Sequence, residues 1–164
     1  MNEVQIGCYY PGVIGKITEL HAVYYHENWG FDVSFETQVG RELSEFMESF
    51  RPERDGLWVA SVSGRFAGSI VIDGTKANTD GARLRWFIVD PELQGAGIGS
   101  ALLARAIEFC RNVGYARVYL WTFHGLDSAR RLYERCGFEL SREHRVTQWG
   151  RNINEQMFIL DLLQ

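Results

Sequence analysis

The stretch of sequence best suited to bind an anion is QGAGIGS, residues 94–100. Glycines alternate at Gly95, Gly97 and Gly99, directly before a long run with the apolar spacing of a helix. Glycine lets several backbone N–H groups converge, and it lets a phosphate approach without a Cβ in the way. A helix N-terminus adds unpaired N–H groups and the positive end of the helix dipole. The pattern therefore predicts a phosphate-binding loop.

Two common phosphate loops do not match these residues. A Walker loop needs a lysine before its Ser or Thr, and here Gly99 precedes Ser100. A dinucleotide fingerprint needs Gly or Ala at position 100 and an acid at the end of the next strand, which reads LWTFHG. What remains is Gln-x-x-Gly-x-Gly, formed by Gln94, Gly97 and Gly99 after a strand that ends in VDPE.

This remaining pattern resembles the coenzyme A pyrophosphate loop of the GNAT superfamily of N-acyltransferases. In register with it, SARRLYERCGF at 128–138 is similar to the family's late helix, which carries a tyrosine before a Gly-Phe turn. The resemblance covers about residues 4–162. The segments IGKITELHAVYYHENWGF and QWG further resemble a bacterial subgroup that is also found fused to winged-helix regulators.

The resemblance implies acetyl-CoA as acyl donor, with no metal, and a cradle of loop N–H groups around its pyrophosphate. In the family, strands 4 and 5 splay apart, and the strand-4 backbone pairs with the pantetheine arm in the opening. Many members carry an asparagine where this chain has Leu126, so Ser128 or the backbone would replace that contact. The implied cofactor-binding residues are Ile88, Val89, Gln94, Gly95, Ala96, Gly97, Ile98, Gly99, Ser100 and Ser128.

The resemblance also assigns catalytic roles. Tyr133, four residues before Gly137, would be the general acid that protonates the departing thiolate. The alternative is a packed helix tyrosine with its hydroxyl at the surface. Strand 4, ARLRWFIV, contains no acid to act as the general base that some members carry there. The base stays open between a water chain and four side chains, which are Glu19, His21, Glu36 and His124.

Transfer by direct attack in a ternary complex is expected, because no cysteine near the loop offers a covalent route. A strand N–H such as that of Val89 would stabilise the carbonyl oxygen. Either Arg130 or Arg131 is a candidate for the 3'-phosphate of the nucleotide. Trp149 would shape the acceptor site or a dimer contact. An aromatic-rich first helix would pack in the core or border the acceptor; its residues are His21, Tyr24, Tyr25 and Trp29.

The resemblance implies a primary amine as acceptor, on a small molecule or on a protein lysine or N-terminus. Glutamates near the first two helices (Glu19, Glu27, Glu36) favour cationic amines, and an amino acid is equally compatible. Two other functions stay open. One is a non-catalytic sensor or interaction module that binds CoA or acyl-CoA, and the other is a nucleotide-binding protein of another class.

The elements that must position these residues follow the order β-α-α-β-β-β-α-β-α-β-β. Apolar residues from Val39 to Phe50 recur at helical spacing, and Pro52 stops that helix. Strands at about 138–146 and 154–162 predict a closing hairpin around QWGRN. With the resemblance, this order predicts an α/β (α+β) GNAT fold. Its sheet would be seven-stranded, mixed and mostly antiparallel, with helices on both faces and strands 4 and 5 splayed.

Composition narrows the remaining possibilities. The 164 residues predict a single domain spanning 1–164. A net charge of -4 argues against nucleic-acid and anionic-membrane partners. Three cysteines without CxxC spacing disfavour a disulfide framework or a zinc site and indicate a reducing, cytoplasmic setting. Family members often dimerise, so a homodimer is possible.

Overall fold

The computed structural model describes residues 3–163. It contains seven strands and four α-helices, in the predicted order, with a short 3₁₀ turn at Pro91–Leu93. The elements are β1 (Val4–Gly7), α1 (Val13–Trp29), α2 (Val33–Glu48), β2 (Gly56–Val62), β3 (Arg65–Asp73), β4 (Ala82–Val89), α3 (Ile98–Val113), β5 (Arg117–Phe123), α4 (Asp127–Arg135), β6 (Glu139–Gln148) and β7 (Arg151–Asp161).

The strands form one sheet in the order β1-β2-β3-β4-β5-β7-β6. Only β4 and β5 run parallel, and the other neighbouring strands are antiparallel. Helices α3 and α4 cover one face of the sheet, called the α3 face here, and α1 and α2 cover the other, called the α1 face. The predicted fold class is therefore confirmed.

Each face has its own apolar core. On the α3 face, Leu102, Leu103 and Phe158 are fully buried within one cluster. On the α1 face, Ile17 and Leu43 are fully buried in a second cluster. The strands of the sheet supply side chains to both clusters because successive residues of a strand point to opposite faces. This two-sided burial explains the nearly continuous apolar sequence of β4.

The closing hairpin has longer strands and a shorter turn than predicted. Strand β6 continues to Gln148 and β7 begins at Arg151, so only two residues form the turn. Trp149 (φ 53°) and Gly150 (φ 78°) both lie in the left-handed region, which suits a two-residue hairpin. Trp149 is held there by long-range contacts, which the local sequence does not reveal.

A β-bulge in β4 creates the main irregularity of the sheet. Ser69 of β3 pairs with Ile88 and Val71 pairs with Arg85, so Trp86 and its neighbour face a single β3 residue. Trp86 has a φ of 44°, and its carbonyl accepts a hydrogen bond from the Ser69 hydroxyl at 2.8 Å.

Strands β4 and β5 separate at the level of this bulge. They pair at only three positions, the last of which is Leu84 with Leu120. Beyond that point the two strands diverge, and we call the opening between 85–89 and 121–123 the fork. The predicted splay of strands 4 and 5 is confirmed.

Candidate active site

A cavity of about 1000 Å³ lies at the fork and is lined from both faces of the sheet. From the α3 face it is lined by Gln94, Ser128, Arg131 and Tyr133. From the α1 face it is lined by His21, Tyr24, Tyr25, Asn28, Trp29, Gln38 and Glu42. Residues of β4, β5 and β7 complete the walls. The fork therefore connects a space on one face of the sheet with a space on the other.

The glycine loop opens α3 in the way that the sequence indicates. Gly95 (φ 87°) and Gly97 (φ 80°) are both left-handed, and Gly97 is the N-cap of α3. A Cβ added to either would meet no atom within 4 Å, so the space above the loop is free. Ala101 makes the bond of the first helical turn to the Gly97 carbonyl, at 3.0 Å.

The residues between Gly97 and Ala101 thus present the unpaired N–H groups of a helix start. Ile98 contributes only its backbone, because its side chain is fully buried in the core. Gly95, Ala96 and Ser100 are exposed. This open array of N–H groups fits an anionic pyrophosphate.

Acidic residues beside the loop are neutralised by an arginine. The Asp90 carboxylate accepts a bond from the Glu92 amide at 3.0 Å and shapes the turn before the loop. Arg65 pairs with Asp90 at 3.0 Å and with Glu92 at 2.8 Å. These exposed pairs add little stability. They do reduce the repulsion that two carboxylates would exert on a bound phosphate.

Along the end of β4, the backbone N–H and C=O groups face β3 at one residue and the fork at the next. The Asp90 amide donates to the Ala67 carbonyl of β3 at 2.8 Å. Backbone groups of successive strand residues point to alternate sides, so those of Ile88 also face β3 and those of Val89 face the fork. The resemblance assigned both Ile88 and Val89 to the pantetheine arm. Of these two residues, Val89 is the one whose N–H and C=O face the fork, and Ile88 also lines the cavity.

Tyr133 reaches the cavity from α4 and is buried, with 5% of its surface exposed. Its ring packs near Phe87, Phe138 and Phe158 at centroid distances of 6.0, 5.8 and 6.2 Å. Burial raises the pKa of its hydroxyl well above the usual range. No hydrogen bond joins that hydroxyl to any other residue that the structure describes. Tyr133 therefore presents a protonated, unengaged donor and not a surface hydroxyl.

His21 is the one of the four base candidates that lines this cavity. Its Nδ1 lies 2.8 Å from the Ile17 carbonyl, which can only accept, so Nδ1 carries the proton and Nε2 is free. Burial lowers the pKa of His21 to about 4. Glu19 and Glu36 are exposed outside the cavity, and His124 lines a separate cavity of about 650 Å³.

Arginines stand on both faces of the site. On the α3 face Arg130 is engaged, with Glu134 at 2.6 Å and the Phe158 ring at 5.4 Å. Arg131 is exposed, lines the cavity and approaches the Ser128 hydroxyl at 3.3 Å. Arg131 is accordingly better placed than Arg130 for a phosphate of the nucleotide.

On the α1 face, two arginines of β4 have opposite surroundings. Arg85 pairs with Glu42 at 2.6 Å and with Asp73 at 3.3 Å, and its guanidinium lies 4.1 Å from the Trp86 ring. Arg83 lines the cavity, and its buried Nε has no hydrogen-bond partner among residues 3–163. A buried donor without a partner costs about 1–3 kcal/mol.

Glu155 of β7 also lines the cavity and was not a sequence candidate. It pairs with Phe123 of β5, so it stands beside the fork, and it lies on the same face as Ile153. Its carboxylate is 3.7 Å from His144 Nε2. The apolar run MFIL at the end of INEQMFIL marks the strand in the sequence. It does not reveal that β7, and not β6, lies next to β5.

Trp149 connects the hairpin tip to α2. Its indole N–H donates to the Gln38 side chain at 2.9 Å, and its ring packs on Phe31 and Phe35 at 5.0 and 4.9 Å. It lines the cavity, as do the aromatic residues of α1. Between the two possibilities for Trp149, this placement favours a wall of the α1-face space over a dimer contact.

Among the residues described, no group of three or more His, Cys, Asp or Glu is arranged to hold a metal ion. A search of the same residues finds no helix with the length and apolar character to span a membrane.

Comparisons with known proteins agree with this geometry. The acetyltransferase (GNAT) family model matches residues 16–138. An uncharacterized N-acetyltransferase from Methanocaldococcus jannaschii is 29% identical over 121 residues, covering 71% of this chain and 54% of that protein. N-acetyltransferase 8 from Homo sapiens is 28% identical over 114 residues, covering 67% of this chain and 50% of that protein. The chain thus spans about half the length of these curated relatives.

Solved structures share the fold. The ribosomal-protein-S18-alanine N-acetyltransferase from Escherichia coli has a TM-score of 0.73 at 18% identity, covering 99% of this chain and 96% of that chain. An acetyltransferase structure from Salmonella typhimurium with its cofactor acetyl-CoA has a TM-score of 0.73 at 16% identity, covering 97% of this chain and 94% of that chain. The family match extends over more than half of the chain. The chain therefore belongs to the acetyltransferase (GNAT) family.

Proposed function

We propose that the protein is an acetyl-CoA-dependent N-acetyltransferase that moves an acetyl group to a primary amine by direct attack in a ternary complex. The observation that carries this proposal is the single cavity at the fork, which joins both faces of the sheet. Gln94, the first residue of the phosphate-type loop, and Tyr133 line it from the α3 face. Aromatic, polar and charged groups line the part of the same cavity that lies on the α1 face. Donor and acceptor can therefore meet from opposite sides.

The loop and the fork fit the donor. N–H groups from Gly95 to Ser100 would hold the pyrophosphate, with Gln94 and Ser128 beside it and Arg131 within reach of the nucleotide phosphates. The backbone of Val89 would pair with the pantetheine arm. Acetyl-CoA supplies a thioester, whose acetyl carbon forms the new bond to the amine nitrogen while the bond to sulfur breaks. The Val89 N–H is the donor we assign to the carbonyl oxygen.

A proton is donated to the leaving sulfur on the α3 face, and a proton is removed from the amine on the α1 face. On the α3 face the Tyr133 hydroxyl donates to the departing sulfur, since its raised pKa keeps it protonated. On the α1 face the nitrogen must lose a proton. We assign this role to the carboxylate of Glu155, acting directly or through water. A carboxylate also stabilises the positive charge that develops on the nitrogen, which the neutral His21 ring does not do. The products are an amide and a free thiol.

Replacing Tyr133 with Phe tests the proposal. The variant loses only the hydroxyl, which makes no hydrogen bond to the residues described, so its stability and CoA affinity should match those of the parent. We expect kcat to fall by about 100-fold or more, the usual contribution of a general acid. Free thiol is followed with acetyl-CoA and a panel of primary amines, and CoA binding is measured by calorimetry. Tyr9→Phe, at a tyrosine that is 50% exposed, is the matched control.

Three outcomes separate the alternatives. CoA binding without thiol release from any amine would favour the non-catalytic sensor. An unchanged kcat in Tyr133→Phe would rule out Tyr133 as the general acid and would not contradict the proposed acetyl transfer. Tighter binding of ATP or NAD than of CoA would favour a nucleotide-binding protein of another class.

A further inference from the structure

Arg83 lines the cavity, and its guanidinium makes no hydrogen bond to the residues described. Among the buried side-chain nitrogen and oxygen atoms of the residues described, only Arg83 Nε lacks a partner. No ion pair joins this guanidinium to a carboxylate in that part of the chain. The catalytic roles proposed above do not use it.

Arg85, two residues further along β4, differs from Arg83 because its guanidinium is paired with carboxylates. Both side chains leave the strand on the α1 face, because residues two apart point the same way. Arg85 is held by Glu42 and Asp73. Asp73 stands directly across the sheet from Arg83, yet its carboxylate pairs with Arg85, and Arg83 makes no ion pair among the residues described.

A carboxylate is the group that best fits Arg83. A guanidinium offers planar, paired N–H donors that match the two oxygens of a carboxylate, and this match is strongest where water is excluded. Arg83 pairs across the sheet with Tyr119, and Glu155 pairs with Phe123, four residues further along the same strand. That separation is about 13 Å along β5. The α1-face space therefore has an anionic group beside the fork and a cationic group further from the fork along β5.

We propose that the acceptor is a small zwitterionic amine of the amino-acid class, whose carboxylate is bound by Arg83 while its amine faces Glu155 and the fork. This inference rests on the proposed transfer to an amine and names its substrate class. Polyamines lack an anion and would place a positive charge against Arg83. A protein lysine or N-terminus lacks a carboxylate near the reacting amine. The glutamates that favoured cationic acceptors in the sequence, Glu19, Glu27 and Glu36, do not line the cavity.

A binding experiment tests the inference without relying on turnover. Calorimetric titrations use N-acetyl-L-amino acids, which are the expected products, and their matched carboxamides, with and without saturating CoA. We expect at least one free acid to bind the parent protein about 10- to 100-fold more tightly than its amide, as for a hydrogen bond to a charged group. Arg83→Gln should lose this preference and Arg83→Lys should retain part of it. Arg142→Gln, at an exposed arginine of β6, is the matched control and should retain all of it.

The same variants are then assayed for thiol release with amino acids and amino-acid amides. Arg83→Gln should lower kcat/KM for the free amino acid about 10- to 100-fold and thereby remove the preference for the acid over its amide. Circular dichroism and the melting temperature verify that each variant is folded. Equal binding and equal rates for acids and amides, or an unaffected Arg83→Gln, would overturn the inference. If the free acid binds in a way that depends on Arg83 but no thiol is released, the proposed acetyl transfer is overturned and the carboxylate-binding site stands.

Discussion

The protonation of His21 provides a quantitative test of the packing around the cavity. His21 is buried, with 5% of its surface exposed, and burial lowers its pKa from 6.5 to about 4. Between these two values the unfolded chain binds a proton that the folded protein excludes. The free energy of unfolding should therefore rise with pH in this window, and it should fall as the pH drops from 6.5 toward 4.

The size of the effect follows from the shift. Each unit of pKa difference corresponds to about 1.36 kcal/mol, so the full loss of stability below pH 4 is about 3 kcal/mol. Between pH 7.5 and pH 5.0 the His21 contribution is about 2 kcal/mol. Carboxylates also titrate in acid, so the measurement must isolate the histidine.

The perturbation is His21→Leu, compared with the parent at both pH values by urea unfolding. We expect the variant to lose about 2 kcal/mol less stability than the parent between pH 7.5 and pH 5.0, because it has no group to protonate. His124→Gln, at an exposed histidine, should follow the parent. Equal acid-induced losses in His21→Leu and the parent, or an NMR titration of the His21 ring near 6.5, would refute the reasoning.

Two further substitutions test the loop and a buried anchor. Gly97→Ala places a Cβ at a φ of 80°, which should cost about 1 kcal/mol of stability. The same substitution should weaken CoA binding about fivefold, as measured by calorimetry. An unchanged affinity would show that CoA binding does not depend on this loop conformation. Asp55 is 1% exposed and accepts bonds from the amides of Arg51 and Gly74 at 3.0 and 2.8 Å. Asp55→Ala should lower the unfolding free energy by about 3 kcal/mol in urea, and a loss below 1 kcal/mol would contradict this account.

The order of the elements and the phosphate-type loop could be predicted from the sequence because both depend on local chemistry. The helical spacing of apolar residues, the Gly97 N-cap and the Gly137 turn after α4 depend on residues close in the chain. The resemblance then identified the family and the splayed strands, since the loop and Tyr133 occur in the same register. The roles of individual site residues remain predictions.

Other features depend on pairing between distant parts of the chain. The bulge at Trp86 requires β3 to bond across it, and the same pairing turns the backbone of Ile88 away from the fork. Glu155 reaches the cavity because β7 enters the sheet beside β5. Nothing in the local sequence around either residue fixes these partners.

The sequence by itself was enough to predict the proposed donor half of the site, because a glycine-rich helix start makes its binding groups from one short segment of backbone. The proposed acceptor half rests on the tertiary structure. Arg83 and Arg85 are indistinguishable in the pattern ARLRWFIV, yet Arg85 is paired with two carboxylates and Arg83 is left with a buried, unpaired N–H in the cavity. Asp73 of β3 lies directly across the sheet from Arg83, but both its carboxylate and that of Glu42 of α2 pair with Arg85, and only the folded chain brings these groups together.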